Sequence, residues 1–589
     1  MAILKIAVHE WVSYFFKAAK QIHILHSFLS RIPPPSSLHP LPSLSLYDPV
    51  AARKKRTEYS VLFDFHGSLL RSSSLFPFFM VVAFEGGGLF RAALLLLSFP
   101  LLLLAGHGGE LMGLKIMAFV TFCGLRRRDV EIVARAVLNK VYLEDLHRRG
   151  YEVVTAAAGR KVAVTSLPRV MVEGFLKEYV GVSEVIAAEM EVRGMYFTGI
   201  FAGSGGGGGG RGERQMALWE LLGEDKADIG LVSTCTTPAN QMLISFSKLR
   251  QIFLCNLSYV EIVLSADTSN DISQEVYIVN KKETPVITPT NADALVAGEF
   301  PAENSTLNPK PKYPKPLVFH DGRLAFLPTP SATLAVLVFL PFSLILSILR
   351  ILTGLVFPYW IAITVASALG LRIRVSHPPN PNPNPNPRKA DRGVLYVCNH
   401  RTLADPIILS VVLARSVPAV TYSLSPISEA VSPIPTVRLT RDRRRDAAII
   451  RRIIAAGNLA ICPEGTTCRE PYLLRFSPLF AELADEIEPV AINVEVSMFY
   501  GTTASGIKSL DPIFFFMNPR PWYYVGLLGR VSPKMSFSGG FTAADVANGI
   551  QRKLAEALGF QCTTLTRRDK YIMLAGNNGI VTPEPPKEA

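Results

Sequence analysis

Long apolar runs alternate with charged stretches along this chain, and two groups of runs are long enough to form membrane helices. The first group spans residues 75–123 and is interrupted by Gly86–Gly88 and by Arg91. The second group spans residues 325–371 and is almost uncharged apart from Arg350. A helix needs about 20 apolar residues to cross a bilayer. The pattern therefore predicts membrane-associated hydrophobic segments, without fixing the number of crossings.

Between and around these runs, short apolar strand patterns alternate with helical periodicity. Ser60–Phe63 and Lys161–Thr165 have the pattern of buried strands, whereas Arg126–Arg149 and Pro168–Val180 have that of helices. Strands that alternate with helices indicate an α/β domain. We place this first domain at residues 59–231.

The same alternation returns after His377–Arg388, a spacer rich in proline and asparagine, which is stiff and extended. A helix is predicted at Asp405–Arg415, and buried strands are predicted at Gly393–Cys398, Leu459–Cys462 and Pro489–Ile492. This alternation predicts a second α/β domain at residues 389–576.

The remaining segments lack such patterns. Residues 1–58 are basic and contain few acids, which fits a disordered terminus or an organelle transit segment. Residues 232–315 carry little periodicity and are interpreted as an irregular insert and linker. Residues 577–589 are interpreted as a tail.

Composition narrows the possible partners. Of the 589 residues, 49% are apolar, and the formal charge is +13. The mean hydropathy of +0.27 favours membrane contact. No zinc-finger or RNP pattern accompanies the positive charge, so a lipid membrane and phosphorylated substrates fit better than nucleic acid.

The seven cysteines form no CxxC pair, which argues against a disulfide framework and against a metal site. A reducing, cytosol-facing location fits this usage better. Cys462 and Cys468 are interpreted as small buried residues.

The most informative motif is His400 followed by Asp405, with four residues between them. On a regular helix this spacing would separate the side chains by about 140°. Asp405-Pro406 instead has the form of an N-cap followed by proline at the first helical position. His400 would then lie in the preceding turn, where the carboxylate can orient the imidazole as a general base. The alternative is an ordinary turn histidine beside a capping aspartate.

A second motif favours catalysis. Pro463-Glu464-Gly465-Thr466-Thr467 follows a predicted strand, and such a turn exposes backbone N–H groups and hydroxyls to a phosphate. Arginines nearby could bind the same anion. The predicted substrate-binding residues are Arg401, Arg441, Glu464, Gly465, Thr466, Thr467 and Arg469. Arg443–Arg445 could equally be a solvated helix face or a contact with lipid headgroups.

Residues 317–579 resemble the plant sn-2 glycerol-3-phosphate acyltransferases. The resemblance rests on four stretches: Val394–Pro406, Ile461–Leu474, Phe515–Pro521 and Thr563–Gly576. It implies transfer of a fatty acyl group from acyl-CoA to glycerol 3-phosphate, giving lysophosphatidic acid for glycerolipid, cutin or suberin synthesis. It also implies an endoplasmic-reticulum membrane with the acyltransferase domain in the cytosol, with a mitochondrial location as the alternative. No cofactor is implied beyond acyl-CoA as co-substrate.

The resemblance assigns catalysis to His400 and Asp405, and substrate contacts to Arg441, Glu464, Gly465 and Thr466. Two alternatives remain open: a lysophospholipid acyltransferase, which keeps the mechanism and changes the acceptor, and a non-catalytic membrane scaffold.

The first domain resembles the haloacid-dehalogenase-like domain of the same family. Asp64 occupies the position of the phosphatase nucleophile and Thr165 fits the second motif, but His66 replaces the second carboxylate. The glycine run Gly205–Gly210 stands where a lysine is expected, and no acidic pair follows Gly230-Leu231. The resemblance therefore implies a degenerate phosphatase site, which we expect to be inactive because a Mg²⁺ site needs those carboxylates.

Overall fold

The computed structural model describes residues 59–252, 319–377 and 393–575, with short gaps at 73, 109, 203–210, 224, 233–237, 423–428, 430–431, 441, 485, 505 and 532–536. These residues form two compact units. The first holds the described residues before 253 and Leu327–Leu337, and the second holds Phe319–Phe326 and the described residues from Val338 onward. The predicted terminal segment at 1–58 and the tail at 577–589 lie outside the described residues.

The first unit is built on a parallel sheet. Its strands are β1 (Val61–Asp64), β2 (Lys161–Pro168), β3 (Glu184–Ala188), β4 (Met190–Arg193), β5 (Tyr196–Phe201), β6 (Ala227–Val232) and β7 (Ser247–Ile252). Five of them form a sheet in the order β3-β2-β1-β6-β7, and β4 pairs with β5 as a separate antiparallel hairpin. Because β7 pairs in parallel with β6, the boundary predicted at residue 231 is too early.

Nine helices of this unit surround the strands in the described residues. They are α1 (Phe76–Leu97), α2 (Phe99–Gly108), α3 (Glu110–Phe122), α4 (Arg127–Val133), α5 (Asn139–Glu144), α6 (Arg148–Ala156), α7 (Arg169–Phe175), α8 (Arg211–Leu222) and α9 (Pro238–Ser245), with π-helical turns at Phe65–Leu69, Ala134–Leu138 and Leu176–Val180. The apolar run at 75–123 thus folds as three helices, of which α1 is long and apolar enough to cross a membrane.

The predicted interruption of the apolar run at 75–123 is seen in the structure as a kink at Gly88 and as hydrogen bonds of Arg91. Gly88 adopts φ +75°, a conformation that favours glycine, and it kinks α1. The guanidinium of Arg91 donates to the carbonyls of Val120 and Thr121 at 2.9 and 3.2 Å. The charge in the apolar run is therefore hydrogen-bonded to the end of α3.

The described residues of the second unit contain nine strands, seven of which form a mixed sheet. The nine strands are β8 (Arg372–Ser376), β9 (Leu395–Cys398), β10 (Ala419–Thr421), β11 (Thr436–Arg438), β12 (Leu459–Ile461), β13 (Tyr472–Leu473), β14 (Ile487–Glu495), β15 (Trp522–Leu527) and β16 (Gln561–Cys562). The order is β11-β10-β12-β9-β14-β15-β8, and β13 pairs with β16 separately. Within the large sheet only the β14–β15 pair is antiparallel.

The helices are α10 (Pro330–Val356), α11 (Tyr359–Ala368), α12 (Asp405–Val412), α13 (Arg443–Ala456), α14 (Asp511–Phe516), α15 (Ala543–Leu558) and α16 (Arg567–Ala575), with 3₁₀ turns at Pro478–Glu482, Lys508–Leu510 and Phe537–Gly539. Helices α13 and α15 pack on one face of the sheet, and α12 and α14 pack on the other. Helix α10 is the second helix long and apolar enough to cross a membrane. The predicted run at 325–371 therefore divides into α10 and α11.

The sheet is buried on both faces because its strands alternate between two cores. In β9, Leu395 and Val397 belong to the core beneath α15, whereas Tyr396 and Cys398 belong to the opposite core. Successive side chains of a strand point to opposite faces, so a short continuous apolar run fills both. This explains why Gly393–Cys398 has no polar position, and it fixes the sheet edge from which His400 emerges.

Candidate active site

Two turns leave the same edge of the large sheet and meet there. β9 ends at Cys398 and β12 ends at Ile461, and the two strands are parallel neighbours with Ile461 opposite Val397. The carboxyl ends of parallel strands are where open α/β sheets place their ligand sites. The two turns are also joined directly, because the Cys468 amide donates to the His400 carbonyl at 2.7 Å. The His400 and Glu464 motifs therefore form one site.

The predicted pairing of His400 with Asp405 is present. Nδ1 of His400 lies 3.0 Å from Oδ2 of Asp405, and the carboxylate is fully buried. The same oxygen accepts from the backbone amides of Arg401 and Thr402 at 2.5 and 2.9 Å. Three donors thus converge on Oδ2 and fix the imidazole, which itself reaches the cavity described below.

The predicted capping role of Asp405 is wrong in detail. Ala404 is the N-cap residue and Asp405 is the first residue of α12. The carboxylate points back to the preceding turn, where Oδ1 accepts from the Thr402 hydroxyl at 2.9 Å. The helix also ends at Val412, before the predicted Arg415.

Residues far away in sequence complete the support of this pair. The Tyr523 hydroxyl, on β15, lies 3.3 Å from Oδ1 of Asp405 and also hydrogen-bonds to Thr402. The Asn399 side chain exchanges hydrogen bonds with the backbone of Ile492 on β14, at 2.7 and 2.8 Å. The sequence carries no local signal for either contact.

The electrostatics suit proton transfer at His400. Burial alone would lower the pKa of His400, but the neighbouring Cys462 and the Asp405 carboxylate outweigh it, so the pKa lies well above its usual range. Cys462 shares a hydrogen bond with His400 and lines the cavity. It is therefore more than the small buried residue predicted, whereas Cys468 is buried as expected.

The residues of the predicted phosphate turn face in two directions. Gly465, Thr466 and Thr467 line the cavity, and Gly465 has φ +68°, which favours glycine. The Glu464 carboxylate is turned away and accepts from the backbone amides of His400 and Leu474 at 2.8 and 3.0 Å. Burial raises the pKa of Glu464 to about 7. Glu464 therefore joins backbone segments in this structure, and its predicted substrate contact stays a prediction.

Two predicted arginines also have structural roles. The buried Arg401 guanidinium donates to the carbonyls of Cys468 and Glu470 at 2.8 and 2.6 Å. Arg469 donates to the Gly322 carbonyl at 2.7 Å and lies 4.5 Å over the ring of Tyr500. Neither lines the cavity, and their assignment to substrate binding stays a prediction.

The upstream arginines are distributed differently. Arg441 lies outside the described residues, so its predicted phosphate contact stays a prediction. Arg443–Arg445 are exposed in the first turn of α13, which begins after the Asp442 cap. Arg443 forms an ion pair with Glu482. These contacts fit the solvated helix face.

A cavity of about 310 Å³ opens at His400. Lys508, Arg567 and Tyr571 line it, and the Lys508 ammonium hydrogen-bonds to the Tyr571 hydroxyl. Lys570, next to them, donates to the Thr467 carbonyl and so ties α16 to the phosphate turn. Arg567 and Tyr571 fall within the Thr563–Gly576 stretch that carried the resemblance, whereas no motif points to Lys508. The cavity therefore brings together an imidazole, hydroxyl donors and the cations of Lys508, Arg567 and Arg350. The Arg350 guanidinium is hydrogen-bonded to backbone carbonyls.

The first unit places Asp64 and Thr165 together at the carboxyl end of its sheet. Asp64 ends β1, and its carboxylate accepts from the Gly67 amide at 2.9 Å. β2 runs in parallel beside β1 with Val164 opposite Asp64, and the buried Thr165 follows it. His66 lies in the turn after β1, where the second carboxylate was expected.

An arginine follows the glycine run, although the run itself stands where a lysine is expected. Arg214, on α8, donates to the Ser166 hydroxyl at 3.2 Å. Burial lowers the pKa of Arg214, while the negative charge of Asp64 raises it. The acidic pair remains missing, because β6 is followed by Ser233-Thr234-Cys235-Thr236-Thr237.

An imidazole–carboxylate pair beside a cationic cavity defines a transferase centre that activates a hydroxyl group. Residues 60–253 match the family model described as "Glycerol-3-phosphate acyltransferase RAM2-like, HAD-like domain", and residues 380–497 match "Acyltransferase". The first match shows that Val232–Ile252 belongs to the family's domain and is not an unrelated insert. The chain belongs to the plant glycerol-3-phosphate acyltransferase family.

Individual relatives support this membership. The chain is 43% identical to Glycerol-3-phosphate acyltransferase 1 of Arabidopsis thaliana, over 92% of this chain and 88% of that protein. It is 42% identical to Glycerol-3-phosphate acyltransferase RAM2 of Petunia hybrida, over 88% of this chain and 98% of the relative. Among solved structures, the 1-acyl-sn-glycerophosphate acyltransferase PlsC of Thermotoga maritima is 14% identical, with a TM-score of 0.25 over 38% of this chain and 96% of that one.

Proposed function

We propose that this protein transfers a fatty acyl group from acyl-CoA to a hydroxyl of glycerol 3-phosphate, producing lysophosphatidic acid and CoA. The observation that carries this proposal is the 3.0 Å contact between Nδ1 of His400 and Oδ2 of Asp405, at a cavity that also holds Lys508 and Arg567. The names of the relatives support glycerol 3-phosphate as the acceptor. The product is a precursor of glycerolipids, with cutin or suberin as the further products expected from the resemblance.

The geometry suggests direct transfer. Asp405 accepts a hydrogen bond from the Nδ1–H group of His400, so the proton stays on Nδ1 and the other ring nitrogen keeps a lone pair for the substrate hydroxyl. As His400 removes that proton, the hydroxyl oxygen attacks the thioester carbonyl and forms the new ester bond. The carbon–sulfur bond then breaks, and the CoA thiolate takes the proton back from the imidazolium. Asp405 stabilises the charged imidazolium during this sequence.

The phosphate of the acceptor would bind opposite the base. Gly465, Thr466 and Thr467 offer backbone and hydroxyl donors, while Lys508 and Arg567 supply positive charge. Charge-assisted hydrogen bonds to phosphate are among the stronger ones in proteins. We assign phosphate recognition to these five residues in place of Arg401, Glu464 and Arg469.

We further propose a location at the endoplasmic-reticulum membrane, with the acyltransferase domain in the cytosol. Helices α1 and α10 are long and apolar enough to span a membrane. A net charge of +13 suits the anionic cytosolic leaflet. Protease digestion of sealed membranes tests the orientation: the second unit should be degraded without detergent, and its protection would contradict a cytosolic location.

The first unit should not hydrolyse phosphate esters. Asp64 and Arg214 remain near each other, but His66 and the Ser233–Thr237 segment replace the carboxylates that a Mg²⁺-dependent phosphatase needs. We therefore expect lysophosphatidic acid to accumulate without release of inorganic phosphate. Phosphate release from that product by the purified protein, abolished in Asp64→Asn, would show that the phosphatase is active.

The central experiment measures incorporation of labelled glycerol 3-phosphate by membranes that contain the full chain and acyl-CoA. His400→Ala should reduce incorporation by at least about a thousandfold, in line with loss of a general base and of its orientation. His377→Ala, at an exposed histidine outside the site, is the matched control. Equal incorporation by wild type and His400→Ala would refute the proposed base. Parallel assays with lysophosphatidic acid as acceptor test the lysophospholipid alternative.

A further inference from the structure

One wall of the cavity at His400 is apolar, and its residues take no part in the proposed proton transfer. Ile351 and Gly354 of α10, Ile407 of α12, and Ile513 and Phe516 of α14 line it. None of these side chains can donate a proton or bind a phosphate. They lie in the same cavity as the base, so a ligand that fills this part would bring an apolar segment close to the reacting hydroxyl.

Helix α10 connects this wall with an exposed apolar surface. Ile351 and Gly354 line the cavity, while Leu352 and Leu355 on the same turn are 47% and 41% exposed. The helix as a whole is long and apolar enough to cross a membrane. An alkyl chain leaving the bilayer could therefore follow α10 into the cavity and remain in contact with apolar groups.

The wall is held in place by specific contacts. The Arg350 guanidinium donates to the carbonyls of Phe516 and Asn518 at 2.7 and 2.6 Å. The Ser347 hydroxyl donates to the Ile513 carbonyl at 2.9 Å. The spacing between α10 and α14 is thereby fixed, and with it the width of the apolar part of the cavity.

Gly354 stands out within this wall. A Cβ atom built on Gly354 would meet no heavy atom within 4 Å beyond its chain neighbours and the backbone of its own helix. Glycine in a helix interior costs stability relative to alanine, and no close approach requires it here. The open space beside Gly354 is part of the cavity.

We propose that the acyl chain of the donor lies along α10 and that Gly354 determines how long a chain the site accepts. This inference rests on the proposed function in that the donor is a fatty acyl thioester. The chain would extend from the thioester carbonyl near His400, along Ile407 and Ile513, to the space beside Gly354. A larger side chain at 354 would shorten that space without touching the base or the phosphate-binding residues.

The test compares kcat/KM for octanoyl-CoA and stearoyl-CoA in membranes that contain the full chain. Gly354→Leu should retain activity with octanoyl-CoA and lose it with stearoyl-CoA, by roughly fourfold for each methylene excluded. Gly549→Leu is the matched control, because Gly549 of α15 also has open space around it and does not line the cavity. An unchanged ratio between the two donors, or an equal loss with both, would overturn the proposal.

A second measurement does not depend on the acceptor. A stearoyl-CoA analogue with a photoreactive group at the chain terminus should label α10 near Gly354 in the wild type, and this labelling should fall in Gly354→Leu. Labelling confined to other helices would refute the chain position. If labelling occurs on α10 while glycerol 3-phosphate is not acylated, the proposed function fails and the acyl site stands.

Discussion

The hydroxyl of Tyr523 lies 3.3 Å from Oδ1 of Asp405, although 118 residues separate them in the chain. The contact joins β15 to the turn that carries the base. We predict that Tyr523→Phe lowers kcat about fivefold and leaves KM for glycerol 3-phosphate unchanged, because one hydrogen bond contributes about 1 kcal/mol. Tyr524→Phe on the same strand is the control, and an equal effect of both substitutions would exclude a specific role for Tyr523.

Asp405→Asn should be far more damaging than Tyr523→Phe. An asparagine cannot accept from all the donors that meet the carboxylate, and it no longer stabilises the imidazolium or fixes the Nδ1 proton. We expect kcat to fall by about a thousandfold or more, as for a carboxylate that orients a catalytic histidine. Steady-state rates with a folding check by thermal melting will test this; a loss of less than about tenfold in folded protein would contradict the assignment.

The pH profile should report the raised pKa of His400. The base must be neutral to accept a proton, so kcat/KM should rise with pH and level off only above the usual histidine range near 6.5. Asp405→Asn should move this limb to lower pH. The raised pKa of His400 in the wild type also affects stability. The contribution of His400 to the free energy of unfolding is complete below about pH 6.5 and is lost as pH rises through the raised pKa. A wild-type limb at or below 6.5 would contradict the coupling.

The neighbouring residues Arg567 and Arg568 allow a test of which arginine binds the phosphate of the acceptor. Arg567 lines the cavity, whereas Arg568 is exposed and does not. Arg567→Ala should raise KM for glycerol 3-phosphate at least about tenfold, because a charge-assisted hydrogen bond contributes about 1.5–3 kcal/mol. Arg568→Ala should leave KM within about twofold. A larger rise in KM for Arg568→Ala than for Arg567→Ala would indicate that the phosphate binds outside the cavity.

Glu464→Gln should change stability more than substrate affinity. The carboxylate accepts from two backbone amides, and a glutamine would place a donor against one of them, at a cost of about 1–3 kcal/mol. Because burial raises the pKa of Glu464 to about 7, its contribution to stability is complete below about 4.5 and is lost as pH rises through 7.

Melting temperatures of wild type and Glu464→Gln between pH 4 and 8 will show this dependence. A raised KM at unchanged stability would restore Glu464 to the substrate site. Gln551→Glu would not serve as a control, because the Gln551 amide donates to backbone carbonyls and a carboxylate cannot do so. The wild type at each pH is therefore the reference.

The sequence located the reacting groups because they are encoded locally. His400 and Asp405 occupy one turn, and the Gly465–Thr467 segment lies in the next turn at the same sheet edge. The strand patterns that precede both turns were recognisable from their apolar runs. Local chain geometry brings the pair together, and distant residues such as Tyr523 add further hydrogen bonds to it.

The direction of a side chain at the site could not be predicted from the sequence, for a physical reason. An arginine next to a phosphate-binding turn can point into the cavity or behind it, and Arg401 and Arg469 point behind it to backbone carbonyls. Their direction depends on Cys468, Glu470 and Gly322, which have no conspicuous pattern. Tyr523 and Lys508 were missed for the same reason, since only the tertiary fold brings them to the site.

The buried Arg350 has a consequence for how the protein is made. Its guanidinium donates to the carbonyl of Leu369, 19 residues later, and to those of Phe516, Asn518 and Pro519, which lie 166 to 169 residues later in the chain. During synthesis this cation therefore emerges well before three of the four carbonyls that hydrogen-bond to it. Until those residues are made, water or another polar group must solvate the guanidinium, because burial of an unpaired charge is costly. The burial of Arg350 can therefore be complete only after residues 516–519 have been synthesised.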